Sequence, residues 1–193
     1  MRDKLNKILA VTNNELNNID YGKYTLVTDR ISGYQGYFFL ESGKEHYRLL
    51  SYISTLYNNE DIFDIGTYKG FSALALSHNP TNKVISYDIL EDSDLWYIKY
   101  SPFSSSIEYM VGDCTLDERL LQSNFISLDT AHDGVYEEYF LGYLAKNNWQ
   151  GLLLMDDIHE YPALKNIWHS ITKEKYDLTN KGHWSGTGLV VFE

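Results

Sequence analysis

The chain of 193 residues has one cysteine, Cys114, few basic residues, and no apolar stretch that approaches the length of a membrane span. Each shortage excludes something. A single cysteine cannot pair within the chain, which fits a reducing cytoplasm. Without a span-length apolar run, no membrane helix is expected. The opening MRDKLNKILAVTNN carries basic residues, but its apolar run is too short for a signal peptide, so no export is expected. Sixteen Lys and Arg face 27 Asp and Glu, a net charge of −11, which argues against a nucleic-acid partner because phosphate binding needs clustered cations. No repeat, low-complexity tract or Pro- or Gly-rich linker divides the chain. One domain over 1–193 follows, long enough to bury a substantial core. Tyrosine, by contrast, is plentiful, with 17 copies. That number suits a sugar or aromatic site and equally well AT-rich codon usage.

Leu5, Ile8, Leu9, Thr12, Leu16 and Ile19 follow helical spacing and predict one N-terminal amphipathic helix. From Tyr21 to Glu41 the pattern is irregular, aromatic and glycine-punctuated, like a lid, so 1–43 reads as a helix and lid-like segment ahead of a core over 44–193. A second helix is expected from about Lys44 to Tyr57. Strands and helices then alternate. DIFDI (61–65), KVISYD (83–88), IEYMV (107–111), FISLD (125–129) and GLLLM (151–155) read as strands. GFSALALS, SDLWYIKY, LDERLLQS, VYEEYFLGYLAKN and YPALKNIWHSITK read as helices, the last with Pro162 in its first turn. The pattern predicts an α/β fold, a Rossmann-like doubly wound, mostly parallel seven-stranded sheet closed by a C-terminal antiparallel hairpin within KYDLTNKGHWSGTGLVVFE. Ligands of such sheets bind beyond the carboxyl ends of the strands, and Asp88, Asp113, Asp129 and Asp156 all fall at that edge.

The turn after the first strand, DIGTYKG, holds Asp64, Gly66 and Gly70. It is not the GxGxxG fingerprint that brings backbone N–H groups onto a pyrophosphate, so a cofactor without phosphates suits it better. GxxxG alone is weak, and a purely structural turn explains it about as well. Asp88, ending the second strand, is placed to accept both hydroxyls of a ribose. Here the chain resembles the class I S-adenosylmethionine-dependent methyltransferases, over roughly residues 44 to 193, through FDIGTYKGFSA, the acidic end of VISYD, the VGD at 111–113 and the terminal hairpin. The resemblance implies that Asp64, Gly66 and Gly70 hold the methionine end of S-adenosylmethionine, Asp88 the ribose, and the region of Asp113 the adenine. Ser72 is a weaker candidate, the competing reading of Asp113 is a turn or cap residue, and Cys114 reads as packing.

In that fold the fourth and fifth strands are neighbours, so Asp129 can face Asp156 and Asp157 across one crevice. Three carboxylates together repel unless a cation or protons compensate them. The competing reading is a capped, hydrogen-bonded strand end. Oxygen-only ligands favour Mg²⁺, with Ca²⁺ or Mn²⁺ as substitutes. Asp129-x-x-His132 followed by Asp156-Asp157 resembles the metal-dependent O-methyltransferase branch, including sugar O-methyltransferases and cephalosporin hydroxylase-like relatives. The catechol enzymes of that branch carry lysine where this chain has His132 and Asp-Asn where it has Asp-Asp, so the resemblance implies a sugar or other small hydroxylated acceptor. His132 is then the general base. His159, His183 and Trp184 either border the site or pack. The expectation is a cytoplasmic, divalent-metal-assisted O-methyltransferase, compatible with a homo-oligomer. The alternatives are a nicotinamide-dependent oxidoreductase and a degenerate methyltransferase fold that only binds.

Overall fold

The computed structural model describes residues 1–25, 35–92, 99 and 105–193. Strands β1 (Asp61–Ile65), β2 (Lys83–Asp88), β3 (Ile107–Val111), β4 (Phe125–Leu128), β5 (Gly151–Asp156), β6 (Lys175–Asp177) and β7 (Thr187–Phe192) form one sheet in the order β3-β2-β1-β4-β5-β7-β6. The first five are parallel, and β4 and β5 are neighbours. β7 runs antiparallel between β5 and β6, so the terminal hairpin is inserted with its second strand inward.

Successive residues of a strand leave opposite faces of the sheet. Ile62, Val84, Phe125 and Leu152 enter one core cluster, and their neighbours Phe63, Ile85, Ile126 and Leu153 enter the other. Apolar cover on both faces explains why β5 is buried along its whole length and lacks polar alternation. The first face is packed by α1 (Arg2–Ala10), α2 (Asn13–Asn17), α3 (Gln35–Phe38), α4 (Tyr47–Ser54) and α5 (Phe71–Leu76). The second carries α6 (Val135–Lys146) and α7 (Pro162–Ser170) through Phe140, Leu144 and Trp168. By the same alternation Asp64 and Asp156 leave the sheet on the α4–α5 side. Asp64 meets Ser72 of α5 at 3.0 Å, and Asp156 meets His46, just ahead of α4, at 3.1 Å.

Two elements differ from expectation. The N-terminal helix is broken after Ala10 because Thr12 starts a new one: its hydroxyl accepts from the Glu15 N–H and the Glu15 carboxylate accepts from the Thr12 N–H. LDERLLQS forms no α-helix. Asp117 sits in extended backbone with its carboxylate taken by the Arg119 N–H and guanidinium, which leaves only short 3₁₀ turns at Cys114–Leu116 and Leu120–Gln122. SDLWYIKY lies outside the described residues apart from Lys99, as do residues 26–34 of the expected lid. The described flanks of that stretch are core: Tyr21, Tyr24 and Phe38 are buried in one cluster with Leu49 and Leu74. Arg48 of α4 ties them down, donating to the carbonyls of Leu16, Asn17, Ile19, Phe39 and Leu40. Among the described residues no helix is long and apolar enough to cross a membrane.

Because Leu5 and Ile8 of α1 are buried in that same cluster, the N-terminal segment and the sheet share one core. Ile8→Ala should cost about 2–5 kcal/mol of global stability, read as a lowered urea midpoint in a single transition. A loss below about 1 kcal/mol would mean that α1 contributes little to the core.

Candidate active site

The site lies on the loops that leave β1, β2, β4 and β5. Gly66 has φ +104°, and a Cβ there would lie 1.6 Å from the carbonyl oxygen of Asp129. The Gly66 N–H is bonded to the Tyr87 carbonyl and the Asp129 N–H to the Ile65 carbonyl, each at 2.8 Å, so three strand ends are drawn together where only glycine fits. The missing Cβ thus makes room for the β4 loop. Gly70, at φ +81°, caps α5. Asp64 is buried beneath the turn, accepting from Ser72 Oγ at 3.0 Å and Ser86 Oγ at 2.7 Å, and burial pushes its carboxyl up to about 7. It supports the loop from below and lines neither of the two cavities on this edge.

Two cavities open on this edge. The larger, about 910 Å³, runs past Gly66, Tyr68, Asp88, Gly112 and Cys114 to Tyr136 and Tyr139. Asp88 faces it while accepting from the Tyr68 N–H at 2.8 Å and the Leu90 N–H at 3.3 Å, which leaves carboxylate lone pairs for a further donor. Ile89, Leu90 and Val135 line the same cavity at 72 %, 74 % and 72 % exposure, an apolar strip awaiting cover. Asp113 does not join them. It is exposed, and its carboxylate caps the next turn through the Thr115 N–H (2.9 Å) and hydroxyl (2.8 Å). The smaller cavity, about 350 Å³, is lined by Glu45, His46, Asp156, Asp157, His183 and Trp184, among others. Gly66, Tyr68, Asp129 and His132 line both cavities and form their common wall.

At that wall the expected aspartates come together with histidines between them. His132 Nε2 is 2.8 Å from Asp129 Oδ1 and 3.2 Å from Asp157 Oδ2. His183 Nδ1 is 3.0 Å from Asp156 Oδ2 and 3.4 Å from Asp157 Oδ1. His46 Nδ1 is 3.1 Å from Asp156 Oδ2, an ion-pair contact outside hydrogen-bond geometry, and Asp157 Oδ1 is separately buried without a hydrogen-bond partner. Ligand atoms of His46, Asp129 and Asp156, of Asp129, His132 and Asp157, and of Asp156, Asp157 and His183 lie within 4.8 Å of one another in each group. Each of these groups mixes nitrogen with oxygen, where the sequence suggested oxygen ligands alone. His159 is elsewhere, paired with Asp177 at 2.7 Å.

Glu45 and His46 carry no signal in the sequence beyond falling in the first turn of the expected second helix. Glu137 and Tyr161 were equally unmarked. The Glu137 carboxylate accepts from the Thr130 hydroxyl (2.7 Å) and the N–H groups of His132 and Gly134 (both 3.0 Å), which holds the β4 loop in shape. The Tyr161 ring stacks on His132 with centroids 4.9 Å apart and planes 3° from parallel. Among the described non-glycine residues five have positive φ, and three of them, Tyr68, His132 and Asp157, line this site. Strained backbone concentrated here is what a positioned functional loop looks like.

No protein-family model and no curated relative matches the sequence. Solved structures do match. A Podospora anserina methyltransferase bound to S-adenosylhomocysteine superposes with TM-score 0.59 at 13 % identity, over 89 % of this chain and 87 % of that one. A Bacillus cereus O-methyltransferase, also bound to S-adenosylhomocysteine, gives 0.56 at 15 % identity, over 99 % and 96 %. TomG of Streptomyces achromogenes, an O-methyltransferase involved in tomaymycin synthesis and solved with S-adenosylmethionine, gives 0.55 at 16 %, over 95 % and 100 %. The chain shares the Rossmann-like fold of these proteins.

Around Asp156 the charge is matched within the protein. Burial alone would lower the His46 and His183 imidazoles, but Asp156 beside both outweighs it and raises them to about 9 and about 10. Against its own burial, Asp156 is held well below the usual carboxylate range by His46 and His183. Raised imidazoles contribute stability that is fully present below the unfolded value of 6.5 and is lost as pH climbs through about 9 and 10. The metal-free protein should therefore show a urea midpoint in chelator that falls from about pH 7 to pH 10. A flat profile across that window would contradict protonated imidazoles at Asp156.

Proposed function

We propose that the protein is an S-adenosylmethionine-dependent O-methyltransferase for a hydroxyl of a small molecule, with a divalent cation at Asp129, Asp156 and Asp157. The observation that carries this reading is the common wall, which places Asp129 and His132 between a cleft sized for a nucleoside cofactor and a small acidic pocket. The donor set fits a cation, because two buried polar atoms in it have no hydrogen-bond partner within the protein. When bound, the cofactor supplies a sulfonium methyl group and the cation stabilises negative charge developing on the acceptor oxygen.

Within this reading the chain's own residues divide the work. Asp88 accepts the ribose hydroxyls, and Ile89, Leu90 and Val135 cover the base. Asp64 and Gly70 shape the turn that receives the methionine end. His132 takes the acceptor's proton, its ring plane fixed by Tyr161 and its backbone by Glu137. Burial would lower the His132 imidazole, but the hydrogen bond to Asp129 raises it on balance and holds a proton on. Once the charge of Asp129 and Asp157 is neutralised, that hold weakens and the ring can act as a base near neutrality. Trp184, 61 % exposed beside the smaller pocket with Tyr37 on the same lining, offers an aromatic surface for the apolar face of a sugar. No observation favours a nicotinamide cofactor or a non-catalytic module.

Calorimetry tests the cofactor half. S-adenosylhomocysteine should bind, and Asp88→Ala should weaken it by about 1–3 kcal/mol. Unchanged affinity removes Asp88 from the site, and no binding at all sinks the reading. His132→Ala should keep cofactor binding and lose about 10²–10⁴-fold in turnover, followed as S-adenosylhomocysteine release across a panel of sugar and other hydroxylated acceptors. Full turnover in that variant would exclude His132 as the base.

A further inference from the structure

We propose that imidazole nitrogen, from His46 at Asp129 and Asp156 and from His183 at Asp156 and Asp157, belongs to the ligand set of the centre, making it a mixed nitrogen–oxygen site for a first-row transition ion such as Mn²⁺, Fe²⁺, Co²⁺ or Zn²⁺ rather than for Mg²⁺. The inference rests on the metal reading above and specifies it. His46 is 3 % exposed, and its Nδ1 points at the cluster without a hydrogen bond. Leaving a buried polar atom unmade is costly, and natural proteins keep such atoms where something else satisfies them. Asp157 Oδ1, the carboxylate atom 3.4 Å from His183, is orphaned in the same place.

The spacings suit ligation as well as they suit hydrogen bonding, and His183 Nδ1 and Asp156 Oδ2 are hydrogen-bonded at 3.0 Å. Adjacent ligands of an octahedral ion at about 2.1 Å are about 3.0 Å apart. His46 Nδ1 to Asp156 is 3.1 Å, His183 Nδ1 to Asp156 is 3.0 Å and His183 Nδ1 to Asp157 is 3.4 Å. The opposite nitrogen of His183 faces Glu45 at 3.6 Å, the arrangement in which a carboxylate behind a ligating imidazole orients it and raises its basicity. Buried Ser185 Oγ also lies 2.6 Å from His183 Nδ1, a hydrogen bond that an ion at that nitrogen would have to displace. The ring is carried on a backbone anchored by the His183 N–H to Thr187 Oγ1 at 2.8 Å. Imidazole nitrogen is a good ligand for Mn²⁺ through Zn²⁺, whereas Mg²⁺ prefers oxygen and keeps its water. Neither histidine belongs to the loops after β4 or β5. One stands ahead of α4 and the other in the β6–β7 connection, so the site closes only when both ends of the chain are docked on the sheet edge.

The test uses the full chain, stripped by chelator and then titrated with Mg²⁺, Mn²⁺, Co²⁺ and Zn²⁺ while melting temperature and Co²⁺ visible absorption are read. Transition ions should bind more tightly than Mg²⁺ and raise the melting temperature further at equal concentration. His46→Gln and His183→Gln should each weaken Co²⁺ binding by about 10–100-fold and change its spectrum, with S-adenosylhomocysteine affinity kept as the control for folding. In the unsubstituted protein, pulsed electron paramagnetic resonance of bound Mn²⁺ should show coupling to imidazole nitrogen. Absence of that coupling, or Mg²⁺ binding as tight as Co²⁺, overturns the histidine assignment while leaving an oxygen-ligated centre and the methyltransferase reading standing. Binding of no ion at all, with cofactor affinity intact, overturns the metal centre itself and identifies the histidines as internal counter-ions.

Discussion

The carboxylate of Asp156, buried at the end of an all-apolar strand, persists as an anion because two imidazoles from distant parts of the chain stand within 3.1 Å of it. Desolvating a lone carboxylate is costly enough that it would otherwise take up a proton. Compensation pins His46 ahead of α4 and His183 in the connection between β6 and β7 to the carboxyl edge of the sheet. The N-terminal helices follow, since α4 packs with α1 and α2 in one core and Arg48 gathers the carbonyls around them. Charge at one point thus organises segments that the parallel sheet alone would leave at its margins.

The same edge divides naturally into two compartments. Gly66 lets the turns after β1 and β4 cross without a side chain between them, and the wall they form separates the cleft at Asp88 from the acidic pocket. Burial and like charge push Asp129 up despite His132, while Asp156 is driven down, so carboxylates a few ångströms apart have unlike proton affinities. Groups pushed apart in this way are what proton chemistry needs. Strain in Tyr68, His132 and Asp157 is held by neighbours such as Glu137, whose three hydrogen bonds span the β4 loop.

Much of this was legible in the sequence because it depends on local patterning. Strands β1, β2 and β3 sit where apolar runs bounded by acid and glycine placed them, and the acidic strand ends reported the functional edge. Asp129, His132, Asp156 and Asp157 converge because neighbouring parallel strands end at the same level, a property of topology. What failed to show was tertiary. Thr12 counted toward one helix because its spacing fitted, whereas its hydroxyl caps a second. Asp113 carried the right type at the right strand end for a cofactor as well as for a cap, and the fold decides for the cap, its carboxylate taken by Thr115. His46 lies far along the chain from its partner Asp156, so no spacing rule connects them, and the loss of that histidine from view made the cluster look purely oxygen-ligated.

The account stands on one claim: a cofactor cleft and a cation centre share the wall of Gly66, Asp129 and His132. A crystal structure of the protein grown with S-adenosylhomocysteine and Mn²⁺, phased to locate anomalous scatterers, measures it directly. The account predicts the nucleoside beside Asp88 and one anomalous peak within bonding distance of Asp156, on opposite sides of that wall. Cofactor density in the acidic pocket, or a cluster closed by hydrogen bonds alone at saturating Mn²⁺, would contradict it.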